Sequence, residues 1–349
     1  MNQIAYLVYG NNADVIDEAR FSILSAIYHS TDDDRPKFVV ITDTPTAFSN
    51  LPVTIETIDK GELTDWYGPD AYNHRSKPNA LLKVIDHAEK TVLIDTDTVF
   101  KKPPIDLFHL INKNNILVDK IHAPWNKTPE KFYDNCYNFL SSTYGIDNNL
   151  RPINSGIIGL TNSNKHVIQD TVKIIDQIYN MSGRLFHVEQ FALAVATTAN
   201  NLQAISHNNL VHHYWSRKSI HRAIAQSFMN AQADLLSEKA KHQFFNLSFS
   251  IPKPPWYYRV YLKLHSKKLE DKIQLRQFYV ELGKALYPYS NTNEFIQAEM
   301  INKALSNLKE RNMPLFRRVL ANGVESLIGP SLLNVTSVNR INKIAEKHQ

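Results

Sequence analysis

The run Thr91-Val-Leu-Ile-Asp95-Thr-Asp97-Thr-Val-Phe100 constrains this chain more than any other segment: an apolar stretch closes on two carboxylates spaced i, i+2. A strand without polar alternation must be covered on both faces, which points to a buried strand of an α/β sheet. The carboxyl ends of such strands open into a crevice, and ligands bind there. In an extended chain alternate side chains share a face, so Asp95 and Asp97 are expected to point one way and Thr96 the other. An Asp-x-Asp in a solvated loop would be commonplace; at the end of a buried strand it reads as an acidic claw. Carboxylate oxygens suit a hard divalent cation, Mg²⁺ or Mn²⁺, which completes its shell with waters and substrate phosphates. A phosphorylated substrate is therefore expected.

The surrounding pattern supports a sheet. Ile4–Tyr9 reads as a first strand, and Asn11 to Asp14 as cap chemistry for a helix through Ala19, Ile23, Ala26 and Ile27. Lys37–Thr42 and Val53–Ile58 read as strands two and three, and Leu81, Leu82, Val84, Ile85 and Ala88 recur at helical spacing before the claw. Beyond it come helical Ile105–Asn112, a short strand Ile116–Val118 and a glycine-broken strand Ile153–Leu160. Helices Asn164–Tyr179 and Glu189–Ala196 follow, and then a closing strand Leu210–Trp215. Strands alternating with helices predict a mostly parallel central sheet with helices on both faces.

From Ser216 onward the pattern turns helical and basic. Two regions are expected, 1–225 holding the sheet and 226–349 a helical, basic C-terminal extension. Between Lys253 and Lys284 eight Lys/Arg stand against three acids, Glu270, Asp271 and Glu281, and Trp256, Tyr257, Tyr258, Tyr261 and Phe278 interleave with them. Such a stretch suits an anionic membrane surface or acceptor association; no nucleic-acid motif accompanies it, and nucleic acid is not expected as a partner.

At 349 residues, with 43% hydrophobic and 21% charged residues, the chain can bury a substantial core and is of ordinary globular composition. One cysteine, Cys136, excludes an intramolecular disulfide and a cysteine-based zinc site. The first residues lack the basic and long apolar segments of a secretory signal, and no window of 18 apolar residues occurs. A cytoplasmic protein, peripheral on the inner face of the membrane, is expected.

Two further clusters flank the claw. Asn73-His-Arg75-Ser-Lys77-Pro opens a helix, where backbone N–H groups favour an anion, and Arg75 and Lys77 are placed to hold a diphosphate. Val211-His212-His213-Tyr-Trp-Ser-Arg217-Lys218 supplies imidazoles, which beside two carboxylates favour Mn²⁺ over Mg²⁺, and a lysine able to reach phosphate.

Taken in order, Arg75 and Lys77, the strand with Asp95-x-Asp97, Asn154-Ser-Gly156, Glu189-Gln190, His213-Tyr-x-Ser and Lys218 resemble the GT-A glycosyltransferases that use nucleotide sugars. The set is most similar to glycosyltransferase family 8 and related bacterial enzymes of surface-polysaccharide assembly, over roughly residues 3–220. The resemblance implies a Rossmann-type GT-A domain and transfer from a nucleoside-diphosphate sugar, a UDP-sugar in the first instance, to a glycan or lipid-linked acceptor. It implies metal held by Asp95, Asp97 and His213, with Lys218 on phosphate and Tyr9 and Gly10 beside the base. Asn154, Ser155 and Gly156 would border the sugar or acceptor, and Glu189 and Gln190 would lie near the reacting sugar. Ser216 stands where the family has Gly, and no Pro-Trp follows Lys218, which leaves the third metal ligand open between His212 and His213.

Displacing a nucleoside diphosphate builds charge on the leaving phosphate, which a Lewis acid and nearby cations offset. A haloacid-dehalogenase-type phosphatase with Asp95 as nucleophile also fits the local motif. Its downstream Gly-Asp metal loop is missing, since no Gly-Asp occurs in the chain. A non-catalytic sugar- or membrane-binding protein on the same scaffold is the third reading.

Overall fold

The computed structural model describes residues 1–127, 134–216, 218–269, 273–289, 294–325 and 335–346, the side chains of 335–337 excepted. The chain divides into two compact units, one of Met1–Tyr214 with Leu236–Lys241, the other of Trp215–Leu235 with His242–Gln349.

The first unit carries a seven-stranded sheet. Its strands are β1 (Asn2–Val8), β2 (Lys37–Thr42), β3 (Thr54–Thr57), β4 (Lys90–Ile94), β6 (Asn115–Ile121), β7 (Ile153–Thr161) and β8 (Gln203–Ser206). They lie in the order β3-β2-β1-β4-β7-β6-β8. All neighbours are parallel except β7, which runs antiparallel to both β4 and β6. The fold is thus the mixed α/β architecture with a mostly parallel sheet that the strand–helix alternation predicts. β1 and β2 are buried almost throughout, which requires cover on both faces of the sheet. The helices of this unit are α1 (Ala13–His29), α2 (Lys60–Tyr67), α3 (Ser76–Val84), α4 (Ile105–Leu110), α5 (Tyr137–Tyr144), α6 (Lys165–Ile178) and α7 (Val188–Ala199), of which α1 and α3 pack against β1 and α7 against β7 and β8. Asn12 caps α1 as its position suggests, its side chain accepting from the Asp14 N–H at 3.0 Å.

Two short strands depart from the expected pattern. The Asp-x-Asp segment is not one continuous strand: β4 ends at Ile94, and β5 (Thr98–Phe100) leaves the main sheet to pair antiparallel with β9 (Val211–His213). β9 therefore does not close the sheet; the shorter β8 takes that edge beside β6.

The ribbon of β5 and β9 is fastened to α1 by buried hydroxyls. Ser22 Oγ lies 2.7 Å from Thr98 Oγ1 and 3.0 Å from the Tyr6 hydroxyl, and the Phe100 N–H donates to Ser25 Oγ at 2.9 Å. Ser25 in turn donates to the Ser22 carbonyl at 2.7 Å. Serine is a poor residue for a helix interior, but here the hydroxyls satisfy backbone and side-chain groups that leave the sheet.

The second unit is helical, as the C-terminal composition suggests. It holds α8 (Lys218–Asn230), α10 (Trp256–Ser266), α11 (Ile273–Ala285), α12 (Glu294–Arg311), α13 (Met313–Asn322) and α14 (Val335–Glu346). α9 (Glu238–Phe245) straddles the division between the units. The second unit has its own core, in which Leu262, Phe278, Leu282, Ile301, Leu305 and Phe316 are buried.

Candidate active site

Asp95 and Asp97 flank the bend between β4 and β5, so they converge because the chain turns rather than because a strand alternates. The bend is held on every side. The Asp95 N–H donates to the Gly156 carbonyl on β7 at 2.9 Å, Thr98 Oγ1 donates to the Asp95 carbonyl at 2.9 Å, and the Tyr214 N–H donates to the Asp97 carbonyl at 3.0 Å. Across the ribbon, Thr98 pairs with His213 and Val99 with His212. Neighbours on a strand face opposite ways, so only one of the two histidines can face the claw.

It is His213. Its Nε2 lies 3.4 Å from Asp97 Oδ1 and 4.0 Å from Asp95 Oδ2. One ligand atom from each of Asp95, Asp97 and His213 lies within 4.8 Å of the others. Two carboxylate oxygens and an imidazole nitrogen suit a divalent cation that tolerates both ligand types. His212, half-buried, has its basicity lowered by burial, with Lys101 and His213 adding to the effect.

Asp119 orients the histidine. Its Oδ2 accepts the His213 Nδ1–H at 2.9 Å, and its Oδ1 lies 3.0 Å from His207 Nε2. The Val211 N–H donates to His207 Nδ1 at 3.4 Å, which leaves Nε2 of that ring to carry the proton toward Asp119. With Nδ1 occupied, the His213 lone pair for a metal is on Nε2. Burial would raise the Asp119 pKa, but the hydrogen bonds from His207 and His213 hold this carboxyl well below the usual range. Burial likewise opposes charge on His213, yet Asp119, Asp97 and Asp95 push it up to about 9. A cation bound at Nε2 takes the place of that proton.

Backbone irregularity places Asp119. The register of β6 on β7 shifts between Val118 and Lys120: Val118 pairs with Ile158, but Lys120 pairs with Asn154. Such bulges re-aim side chains next to functional sites. Opposite lies Asn154-Ser155-Gly156, where Asn154 Oδ1 accepts the Gly156 N–H at 2.8 Å. Gly156 is required by close approach: a Cβ there would lie 2.3 Å from His213 Cε1 and 2.4 Å from Nδ1.

Lys77, near the start of α3, reaches the claw. Its Nζ lies 2.6 Å from Asp95 Oδ1 and donates to the Ser155 carbonyl at 3.0 Å and, more weakly, to Ser155 Oγ at 3.4 Å. Burial would lower its pKa, but Asp95 and Glu189 outweigh that and keep it cationic. Ser155 Oγ donates to Glu189 Oε2 at 2.8 Å, which links the lysine to the first turn of α7. Glu189 is buried, and burial pushes its pKa up to about 7 against the pull of Lys77 and Ser155. Among the described residues its Oε1 has no hydrogen-bond partner, nor does buried His74 Nε2, whose ring packs against Phe186 at 4.3 Å and Tyr72 at 5.7 Å. Burial and then Lys77 lower the His74 pKa, so this ring stays neutral near the claw. Orphaned polar atoms are rare in folded proteins, and two of them here are what a hydroxyl-rich ligand would satisfy.

The remaining candidates divide. Arg75 does not join Lys77: its Nε and Nη2 form a two-point pair with Asp176 at 2.7 and 2.9 Å, and Nη1 donates to the Asp65 and Trp66 carbonyls at 3.2 and 3.0 Å. Arg75 thereby ties α3 to α6 and to the end of α2. Tyr9 and Gly10 lie just past β1, where Asp43, just past β2, accepts the Gly10 N–H at 2.9 and 3.1 Å and the Tyr67 ring lies 6.3 Å from that of Tyr9. Gln190 follows Glu189 on α7, and Lys218 opens α8 in the second unit. Asp119, His207, His74 and Asp43 were not singled out from the sequence. Asp119 carries a legible signal, because it ends the apolar run Ile116-Leu-Val as Asp95 ends its own; His207 carries none.

No family model matches this chain, and no curated protein matches it. Among solved structures it is similar to apo mouse xyloside xylosyltransferase 1, at 11% identity and a TM-score of 0.42, over 59% of this chain and 85% of that one.

Proposed function

We propose that this chain is a divalent-metal-dependent glycosyltransferase that moves a sugar from a nucleoside-diphosphate donor, a UDP-sugar in the first instance, to a hydroxyl of a glycan or lipid-linked acceptor in surface-polysaccharide synthesis. The observation that carries the reading is the convergence of Asp95, Asp97 and His213 at strand ends, with Asp119 fixing the imidazole. Asp95, Asp97 and His213 would hold the metal, Mn²⁺ in preference to Mg²⁺ because one ligand is nitrogen. When bound, it supplies charge stabilisation to a departing diphosphate.

The chain's own groups do the rest. Lys77 neutralises Asp95 and brings fixed positive charge to the leaving-group side. Glu189, titrating near neutrality, is matched to accept a proton from an acceptor hydroxyl, and Oε1 is the atom free to do so. His74 Nε2 and Asn154 would hydrogen-bond sugar hydroxyls. Tyr9, Gly10 and Asp43 offer the ring face and polar groups that a base and ribose need, and Lys218 is proposed to contact phosphate.

The test is Mn²⁺-dependent release of nucleoside diphosphate from a panel of UDP- and GDP-sugars, read with wild type and Asp97→Ala. Release by wild type alone supports the reading. A trapped acyl phosphate on Asp95 would replace it with a phosphatase, and sugar binding without release with a non-catalytic module.

A further inference from the structure

The helix α10 in the second unit has two faces of opposite character. Leu262 and Ser266 are buried in the unit's core, and Tyr258 and Tyr261 are partly buried beside it. Leu262 is locked there, because a Cβ at Gly283 on α11 would lie 2.4 Å from Leu262 Cδ2; the two helices meet without room for rotation. The outer face presents Trp256, Val260 and Leu264, which are 70%, 45% and 56% exposed, with Tyr257 59% exposed beside them. Their i, i+4, i+8 spacing makes one continuous stripe along the helix.

A second row runs alongside it at the same spacing. Arg259 and Lys263 are exposed on α10, Lys267 continues their row just past its end, and Lys268 adds a cation where the apolar row stops. Between Lys253 and Leu269 there is no acidic residue at all. Helix packing in the core cannot explain these side chains, since they are turned away from it.

We propose that this outer face of α10 is a docking surface for an anionic lipid bilayer. Trp256, Val260 and Leu264 would enter the headgroup boundary, while Arg259, Lys263 and Lys267 keep their charges at phosphate level with their stems along the apolar row. The charge pattern selects this occupant. A second copy of the chain would bring two cationic faces with no carboxylate between Lys253 and Leu269 into one interface, and a nucleic acid would leave the aliphatic stripe in water. A bilayer surface of anionic lipid satisfies both rows at once.

The experiment is cosedimentation of the full-length protein with phosphatidylcholine vesicles, and with the same vesicles containing a third phosphatidylglycerol, at low and high salt. Wild type should partition onto the anionic vesicles at least tenfold better, and high salt should erase most of the difference. Each basic residue contributes about fivefold to such partitioning, so Lys263→Glu/Lys267→Glu should lose more than tenfold. Val260→Asp/Leu264→Asp should lose as much with an unchanged melting temperature, and Trp256→Phe should remove a blue shift of tryptophan emission on vesicle binding. Equal partitioning onto both vesicles, or unchanged binding by the Val260/Leu264 variant, would overturn the proposal. So would a concentration-dependent dimer abolished by that variant, or an oligonucleotide complex abolished by the Lys263/Lys267 variant alone.

Discussion

Whether His213 presents the correct nitrogen depends on a carboxylate that need never touch a metal. Asp119 takes the Nδ1 proton, and its other oxygen is held by His207, so the ring can neither flip nor change tautomer without breaking a buried bond. Asp119→Asn should weaken Mn²⁺ binding about 10- to 100-fold by titration calorimetry, whereas Asp97→Ala should abolish it. Equal losses in the two variants would remove the distinction between ligand and orienter. Glu189 offers a second residue-level check, in pH. Its pKa is raised from 4.5 in the unfolded chain to about 7, so between those values the folded state keeps a proton that the unfolded state has lost. Stability should therefore fall as pH rises through that window. Glu189→Gln should flatten the slope, and by urea denaturation in chelator its advantage over wild type should grow by about 3 kcal/mol between pH 4 and pH 8. A parallel pH dependence in the two proteins would show that folding does not raise the Glu189 pKa.

At the scale of elements, the ribbon of β5 and β9 joins residues far apart in sequence, and its tightest point is Gly156 against His213. Gly156→Ala should cost about 1–3 kcal/mol of stability, the usual range for overpacking, and should weaken Mn²⁺ binding as well because the imidazole must move; a denaturation curve and a metal titration measure the two losses separately. Much of this architecture was legible in advance. β1, β2, β7, α1, α6 and α7 follow from periodicity because their burial is continuous or confined to one helical face, and those are properties of neighbouring residues. β5 and β8 were not legible: strands of three and four residues exist through non-local pairing, and Gln203-Ala-Ile-Ser has no alternation to announce it. The same reason hid Asp119, whose aim depends on a register shift against β7, and the pairing of Arg75 with Asp176, which lies on another helix. Asp95 and Asp97 were found with a partly mistaken geometry, since a bend rather than an extended strand brings them together.

At the scale of the whole molecule, the two units have separate cores, one around the sheet and one among the C-terminal helices. A metal bound at the claw should stabilise the first by mass action, about 2.7 kcal/mol at a hundredfold excess over Kd. Hydrogen exchange should show added protection in β4, β5 and β9 and little change in α11 and α12; uniform protection would mean that the units open as one. The membership of the first unit carries a further consequence. Residues 236–241 belong to it although the chain on either side does not, and Ala240 is fully buried. A protein emerging from the ribosome can pair β1, β2 and β4 early, but His213 arrives late and the segment that completes the unit arrives later still. The acidic half of the claw is thus exposed to solvent cations before its imidazole exists, and a transcript cut after Tyr214 would encode all three ligands and still leave the unit unfinished.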